Sequence, residues 1–516
     1  PVSVTLESSG LSASSALRCT VETESLRIEE NPRFLPFAPR TAREVVRRFS
    51  GPTAEVSGRV QLERGEPTPS GEPGPWRYEG SFEVTDGEAS YEEFPYPITG
   101  IDALFVFDQD RFTIARLTGE GPTGASLLAT GTIEPPGDGA EVLVDVSLED
   151  VPIDRHFVAG LPPGRAKVYE ILFNEADYAR LVERGLVLDP DEAAELAEKA
   201  RALRSELAML RATDAPEATI EESRARLASV DGALEAPVFE LAGRADLDIR
   251  VFRPLGADTR YSSDVVLRLD RAGVLTDAFP YPVWARDLEL RLSENVATVT
   301  RAALEGLSGA SGWIEGWVRY SEEPDGPYEP AIELAAETVP VDEYLLAALP
   351  EGEVGAGLSA RGVLEGLELS GAVSCAAELF ADADRPDNIG FGATIDLGGL
   401  DADPVGEELP IEGLTGEIVL TRSGFGLREV RGMAGGSAFV IDADATFPDE
   451  RAGRSFGLTG RARAWAFDVS RPVERLIEGV APGPFERLAS IRDEHDPAGR
   501  VGGQLPVDGA RGERGM

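Results

Sequence analysis

The sequence predicts a mainly β protein. Tandem antiparallel β-meander repeats would join into one elongated, curled sheet with an open groove, interrupted by a single α-helical insertion. Three observations carry that prediction. Apolar and polar residues alternate along most of the chain, a set of landmarks recurs in fixed order, and one stretch switches to helical spacing. The clearest landmark is Phe-Pro-Tyr-Pro, spelled at 94–97 and again at 279–282.

The alternation comes first because it defines the strands. "EVLVDVSLED" (141–150) places Val142, Val144, Val146 and Leu148 on one face, and "DLELRLSEN" (287–295) sets Leu288, Leu290 and Leu292 opposite Glu289 and Arg291. "DLDIRVF" (246–252) contributes Ile249 and Val251, and "SAFVIDADATF" (437–447) contributes Phe439 and Ile441. A period of two with one polar side describes strands that are wet on one face and apolar on the other, as in antiparallel meanders.

The landmarks define the repeat. From Phe94 the text runs through "LTGEGPTGAS" (117–126) to "VPIDRHFVAGLP" (151–162), and from Phe279 through "LEGLSGASG" (304–312) to "VPVDEYLLAALP" (339–350). A more divergent third copy runs from "LPIEGLTG" (409–416) through 430–438 to "AFDVSRPVERLIEGVAP" (466–482). Phe94 to Asp154 is 60 residues, Phe279 to Asp342 is 63 and Leu409 to Asp468 is 59. Each copy is expected to hold roughly five strands linked by Gly, Pro and Asp turns. Each then closes on a short helix N-capped by Asp154, Asp342 or Asp468. Two prolines fix φ and remove two N–H donors, so Phe-Pro-Tyr-Pro belongs where one strand stops and the next begins, its aromatic residues anchoring the bend. The expected division is 1–52, the end of a preceding repeat with a short helix; 53–163, repeat A; 164–238, the insertion; 239–352, repeat B; 353–483, repeat C; and 484–516, a short helix and polar tail.

The insertion has helical signals of its own. In "DPDEAAELAEKARALRSELAMLR" (189–211), Asp189 is an N-cap, Pro190 opens the helix and Glu192 completes a capping-box-like start. Leu196, Ala200, Leu203, Leu207 and Leu210 then form one stripe. A second helix is expected at about 218–231 and a shorter one at 174–184. The stripe is expected against the neighbouring helix or the sheet, with a protein partner as the other reading.

Composition excludes several functions. With 49 basic and 92 acidic residues the formal charge is −43, which repels nucleic acid and anionic headgroups at long range. Cys19 and Cys375 are the only cysteines, too few for a disulfide framework or a cysteine-rich zinc site. No uncharged apolar run reaches the roughly 20 residues of a membrane span. The opening "PVSVTLESSG" reads as the middle of a strand, so the sequence is expected to be a segment of a longer protein whose targeting or anchoring element lies elsewhere.

No motif defines an active site. "GEGPTG" (119–124) matches G-x-G-x-x-G but is interrupted by Pro and followed by a strand, whereas dinucleotide binding needs a helix there. His156 and His495 are too few for a histidine-based metal site. "ADADRPDN" (381–388) offers Asp382, Asp384, Asp387 and Asn388, but its spacing departs from the EF-hand loop. No pair of carboxylates stands out for glycoside hydrolysis. The reading is non-enzymatic, with no catalytic residue, cofactor or metal assigned.

A five-strand meander closed by a short helical crossing, and repeated, resembles the AsmA-like proteins of bacterial envelopes, TamB-type members included, within the repeating β-groove, bridge-like lipid transfer superfamily. The likeness rests on the strand–Gly–strand phrases at 117–133 and 304–318 and on the endings around Asp154 and Asp342. It covers most of the chain except 167–236 and the tail after about 483. The resemblance implies a trough whose apolar lining shelters the acyl chains of phospholipids or other lipids, in the periplasm or envelope. It also implies an inner-membrane helix outside this segment making the membrane contact. The expected lining is Val142, Val144, Val146, Ile249, Val251, Leu288, Leu290, Leu292, Phe439 and Ile441. The long insertion and the acidity depart from the family pattern. The competing reading is a spacer or protein-interaction scaffold of packed β-sandwiches that docks through the insertion helices.

Overall fold

The computed structural model describes residues 2–12, 14–28, 49–91, 94–122, 124–137, 139–161, 163–276, 279–321, 328–349, 353–355, 358–381, 389–403, 410–421, 423–434, 436–446, 457–467 and 501–510. Two strands lead, β1 (Val2–Ser8) and β2 (Leu17–Ile28). A first group of six follows: β3 (Phe49–Arg64), β4 (Trp76–Tyr91), β5 (Phe94–Asp108), β6 (Phe112–Glu120), β7 (Ser126–Glu134) and β8 (Glu141–Pro152). Five helices come next: α1 (Arg155–Gly160), α2 (Pro163–Leu172), α3 (Glu175–Glu183), α4 (Pro190–Ala212) and α5 (Glu217–Ala233). The second group is β9 (Arg244–Arg253), β10 (Ser262–Val274), β11 (Val283–Ser293), β12 (Val296–Gly306), β13 (Ser311–Tyr320) and β14 (Tyr328–Pro340). Then come α6 (Glu343–Ala348), β15 (Glu353–Gly355), β16 (Leu358–Ser359), α7 (Ala360–Leu367) and β17 (Leu369–Ser370). The third group is β18 (Ala372–Ala381), β19 (Ile389–Ala402), β20 (Ile411–Thr421), β21 (Gly424–Ala434), β22 (Ser437–Thr446) and β23 (Gly457–Phe467), and β24 (Val501–Ala510) ends the series.

The sheet is one open antiparallel meander. Every long strand pairs with the long strand before and after it, β8 meeting β9 across the five helices and β14 meeting β18 across α6 and α7. β1 and β24 do not pair with each other. The repeat holds six long strands where roughly five are expected. In each group the landmark phrase begins the third strand or directly precedes it: Phe94 opens β5, Tyr281 precedes β11 and Ile411 opens β20. Val501–Ala510, expected within a polar tail, is a strand paired with β23. Asp468 and the third-copy ending, His495, and the 382–388 loop lie outside the described residues.

The sheet curls into a trough. Arg165 near the start of α2 bonds Ser263 at the start of β10, and Phe173 just past α2 bridges Leu275 just past its end. Eight residues of helical rise cover only about 12 Å. A flat strand of that length would span about 40 Å, so even with the reach of the Arg165 side chain, β10 must bend into a U around the helix.

The short helices form as their caps dictate. Asp154 accepts from the N–H groups of His156 and Phe157, and Asp342 from those of Tyr344 and Leu345. Asp189 caps α4 as expected, with Pro190 at its first position. The α4 stripe packs on α5, where Ala200 and Leu203 meet Val230, flanked by Leu196, Leu227 and Leu234.

Candidate functional site

The register places one apolar face inside the trough. Val4 pairs with Val21, Val21 with Val60, Val60 with Gly80, Gly80 with Phe107, Phe107 with Phe112, Phe112 with Ile133 and Ile133 with Val142. A second row runs Leu127, Leu148, Leu247, Leu267, Leu290, Val299, Gly316, Ile332, Leu379 and Phe391. The outer face is charged and paired across strands. Asp145 meets Arg250 at 2.8 Å, and Arg268 lies 2.6 Å from Asp248 and 3.3 Å from Glu289. Asp248 is held below the usual carboxylate range, chiefly by the Arg268 hydrogen bond, and Glu289 chiefly by that of Arg291.

Two sections of the trough differ. Helix α1 reaches β5, where Tyr96 is buried and Ile98 packs on the same cluster as Phe157. Over β1–β4 and toward Phe107, Phe112 and Ile133, by contrast, the inner face is exposed or half-buried: Val4 is 64% exposed, Leu62 36% and Tyr78 39%. Its floor is aromatic. Phe82 stacks on Phe105 at 4.6 Å, Phe105 lies 5.7 Å from Phe112, and Phe107 lies 6.3 Å from Phe112 and from Tyr78. Glycines make room for these rings. A Cβ on Gly80 would meet the Phe107 ring at 2.7 Å, and one on Gly58 would meet the Phe82 Cβ at 2.9 Å.

Over β8–β14 the helices fill the trough. Phe157 of α1, Val168, Tyr169 and Leu172 of α2, and Phe173 share a buried cluster with Leu247, Leu267, Leu290, Val299, Ile314 and Ile332. Backbone bonds fix the far end of α2, Leu275 N–H donating to Leu172 at 3.0 Å and Asn174 N–H to Leu275 at 2.9 Å. Burial raises the Tyr169 hydroxyl pKa, with the nearby Glu175 charge adding to it. The next rim segment is lidded by α6, whose Tyr344 hydroxyl donates to the Leu186 carbonyl at 2.9 Å.

All ten expected lining residues share the inner face, in different settings. Val144 pairs with Val251 and Val146 with Ile249, and these four are half-buried beside buried Val142. Leu292 reaches Ile249 through Val265, which pairs with both. Leu288, Leu290 and Leu292 are correctly placed by parity but are not open lining, because they belong to the cluster sealed by α1 and α2. Phe439 and Ile441 stand far along the sheet on β22, half-buried and apart from the rest. Sequence reasoning misses the aromatic floor of Phe82, Phe105, Phe107 and Phe112. "ALFVF" (103–107) is apolar at every position, so its parity is unreadable, and outward Leu104 and Val106 are 40% and 45% exposed.

The repeated Tyr fills a repeated socket. Tyr96 and Tyr281 are buried, and 25 residues after each stand Gly121 and Gly306. A Cβ on Gly121 would meet the Tyr96 ring at 2.7 Å, and one on Gly306 would meet the Tyr281 ring at 3.0 Å. The turns match as well: Gly121 donates to Ala125 at 2.7 Å and Gly306 to Ala310 at 2.8 Å, with Gly124 and Gly309 at positive φ. The G-x-G-x-x-G phrase is therefore a hairpin turn holding a Tyr ring. Burial, then the Asp342 charge, pushes the Tyr281 hydroxyl up to about 12.

Among the described residues, no group of three or more His, Cys, Asp and Glu is placed to hold a metal ion, and no helix is long and apolar enough to cross a membrane. Cys19 and Cys375 are both free thiols. No family model, curated protein or solved structure matches this chain. Fold and trough geometry therefore define the class: a one-sheet β-trough with an apolar lining, a charged exterior and a helical bar across its middle.

Proposed function

We propose that the chain is a non-enzymatic lipid-binding segment whose open trough, over β1–β4 and the Phe107 end of β5, shelters acyl chains. The observation that carries this is the inner face itself, apolar from strand to strand in register and left exposed in that section alongside a solvated, ion-paired exterior. Each methylene taken from water contributes about 0.8 kcal/mol, so a chain laid along Val60, Phe82 and Phe107 is strongly held without any catalytic group. A contiguous exposed apolar surface of this kind marks a ligand or partner site. In line with the AsmA-like resemblance, this reading places the protein in the bacterial envelope, with membrane contact made by regions outside this segment. The insertion helices serve as a second, protein-directed surface.

Native mass spectrometry with lipid extraction of the mildly purified protein tests the proposal. Co-purifying lipid is expected, and it should fall several-fold in Leu62→Asp, a substitution at an exposed position that leaves the fold intact. A lipid-free protein, or occupancy unchanged in Leu62→Asp, sinks it.

A further inference from the structure

The chain has 92 acidic residues, yet at the described in-register positions none points into the trough from a sheet strand. Among the described residues, the inward in-register positions of the sheet carry only two charged side chains, and both are arginines. Arg64 continues the inward series Val60–Leu62 at the end of β3, where it pairs with Leu17 and Trp76. Arg253 continues Ile249–Val251 at the end of β9 and pairs with inward Val142. The two occupy equivalent places, the last residue of the first strand in repeats A and B, and therefore the same rim.

Their surroundings match too. The Arg64 guanidinium lies 5.4 Å from the centre of the Trp76 ring and that of Arg253 lies 5.3 Å from the centre of Tyr261; each ring is 52% and thus half exposed. Neither cation is neutralised by a carboxylate among the described residues. Arg64 donates Nε and Nη2 to the Ser15 carbonyl at 3.0 and 2.6 Å, and Arg253 donates to the Thr259 hydroxyl and the Gly256 carbonyl at 3.3 Å. These neutral acceptors orient each fork and leave Nη1 without a partner among the described residues, a geometry suited to a phosphate oxygen. Every other strand arginine faces outward, where most are paired with acids.

We propose that Arg64 with Trp76 and Arg253 with Tyr261 form two stations at one rim that bind the phosphate of a lipid headgroup while its acyl chains lie on the apolar floor. This rests on the lipid-binding reading and adds the headgroup class: lipids bearing an anionic phosphodiester over uncharged lipids with the same chains. The otherwise acidic molecule makes the choice selective, because away from these stations an anionic headgroup meets repulsion.

The test measures binding of phosphatidylglycerol and of diacylglycerol with matched chains to the full chain, as wild type, Arg64→Gln, Arg253→Gln and the double variant. Wild type should prefer phosphatidylglycerol at least tenfold. The double variant should lose that preference while holding diacylglycerol as before, and Arg64→Lys should restore part of it. Equal binding of both lipids by wild type, or a preference that survives in the double variant, overturns the stations and leaves the trough reading standing. Binding of neither lipid overturns the trough reading itself. Glycerol phosphate competing as well as the lipid would assign the arginines to a soluble phosphate compound and overturn the headgroup assignment. Circular dichroism of each variant checks that the sheet still folds.

Discussion

The open section, centred on β1–β4 and the Phe107 end of β5, and the barred section over β8–β14 are built from the same pattern and end in opposite environments. Phe82, Phe105, Phe107 and Phe112 occupy the inner face just as Leu267, Leu290, Val299 and Ile332 do, and each set lies in register rows crossing neighbouring strands. The first set is half-buried and the second is buried, because α1 and α2 pack over the second while in the first section α1 packs at the Tyr96 end of β5, away from the four rings. Alternation therefore decides which way a side chain points. What covers it is decided by a segment inserted between β8 and β9, and that segment turns half of a continuous groove into a core.

Matched charge substitutions should separate the two sections most widely. Leu290→Asp should cost at least about 3 kcal/mol, since a carboxylate would be buried without a partner. Leu62→Asp, at the equivalent parity in the open section, should change stability by less than about 1 kcal/mol. Urea unfolding measures both, and equal effects would mean that the two sections do not differ. Phe173→Ala removes the anchor at the end of the bar and should cost about 3 kcal/mol. Hydrogen exchange should then speed up across α2 and β10–β13 and stay unchanged over β3–β6.

The repeated socket should respond alike in both sections. Gly121→Ala and Gly306→Ala each push a Cβ into a buried Tyr ring and should each destabilise by about 1–3 kcal/mol. A large effect at only one would show that the two sockets are not equivalent. Alkaline pH probes the sockets in another way. Below pH of about 10 the tyrosines are protonated folded or unfolded. Above it the unfolded chain ionises first, because burial raises Tyr281 to about 12. Stability should thus fall as pH rises from about 10 through about 12, with tyrosinate absorbance tracking the loss of near-ultraviolet circular dichroism. The smallest effect is expected outside the trough: Arg268→Ala, on the exposed ladder, should cost no more than about 1 kcal/mol.

Much of this architecture is legible in the amino-acid sequence alone. Strict alternation at 141–150 and 287–295 sets the inward parity of Val142, Val144, Leu288 and Leu290, since a pleated strand leaves no other choice. The caps at Asp154, Asp189 and Asp342 are readable because a carboxylate just before a helical phrase has few other uses. The bar is not readable. Val168, Tyr169, Leu172 and Phe173 look like any amphipathic turn, and nothing local says which face they will meet. The aromatic floor is hidden by "ALFVF", apolar on both sides of the strand. The rim arginines are visible, each continuing an apolar parity series with a charge, but an Arg at a strand end reads as a solvated edge until the register shows that it points inward.

The pairing order also bears on how the chain acquires its shape. Every hairpin within a six-strand group joins strands adjacent in sequence, so each closes a short loop at little entropic cost and can form while the rest is still extended. Two junctions between groups differ: β14 to β18 encloses α6 and α7, and the longer one runs from Pro152 of β8 to Arg244 of β9, so pairing those two must enclose all five helices. That seam should be the slow step, with the two flanking groups folding as separate units and joining once the bar has settled between them.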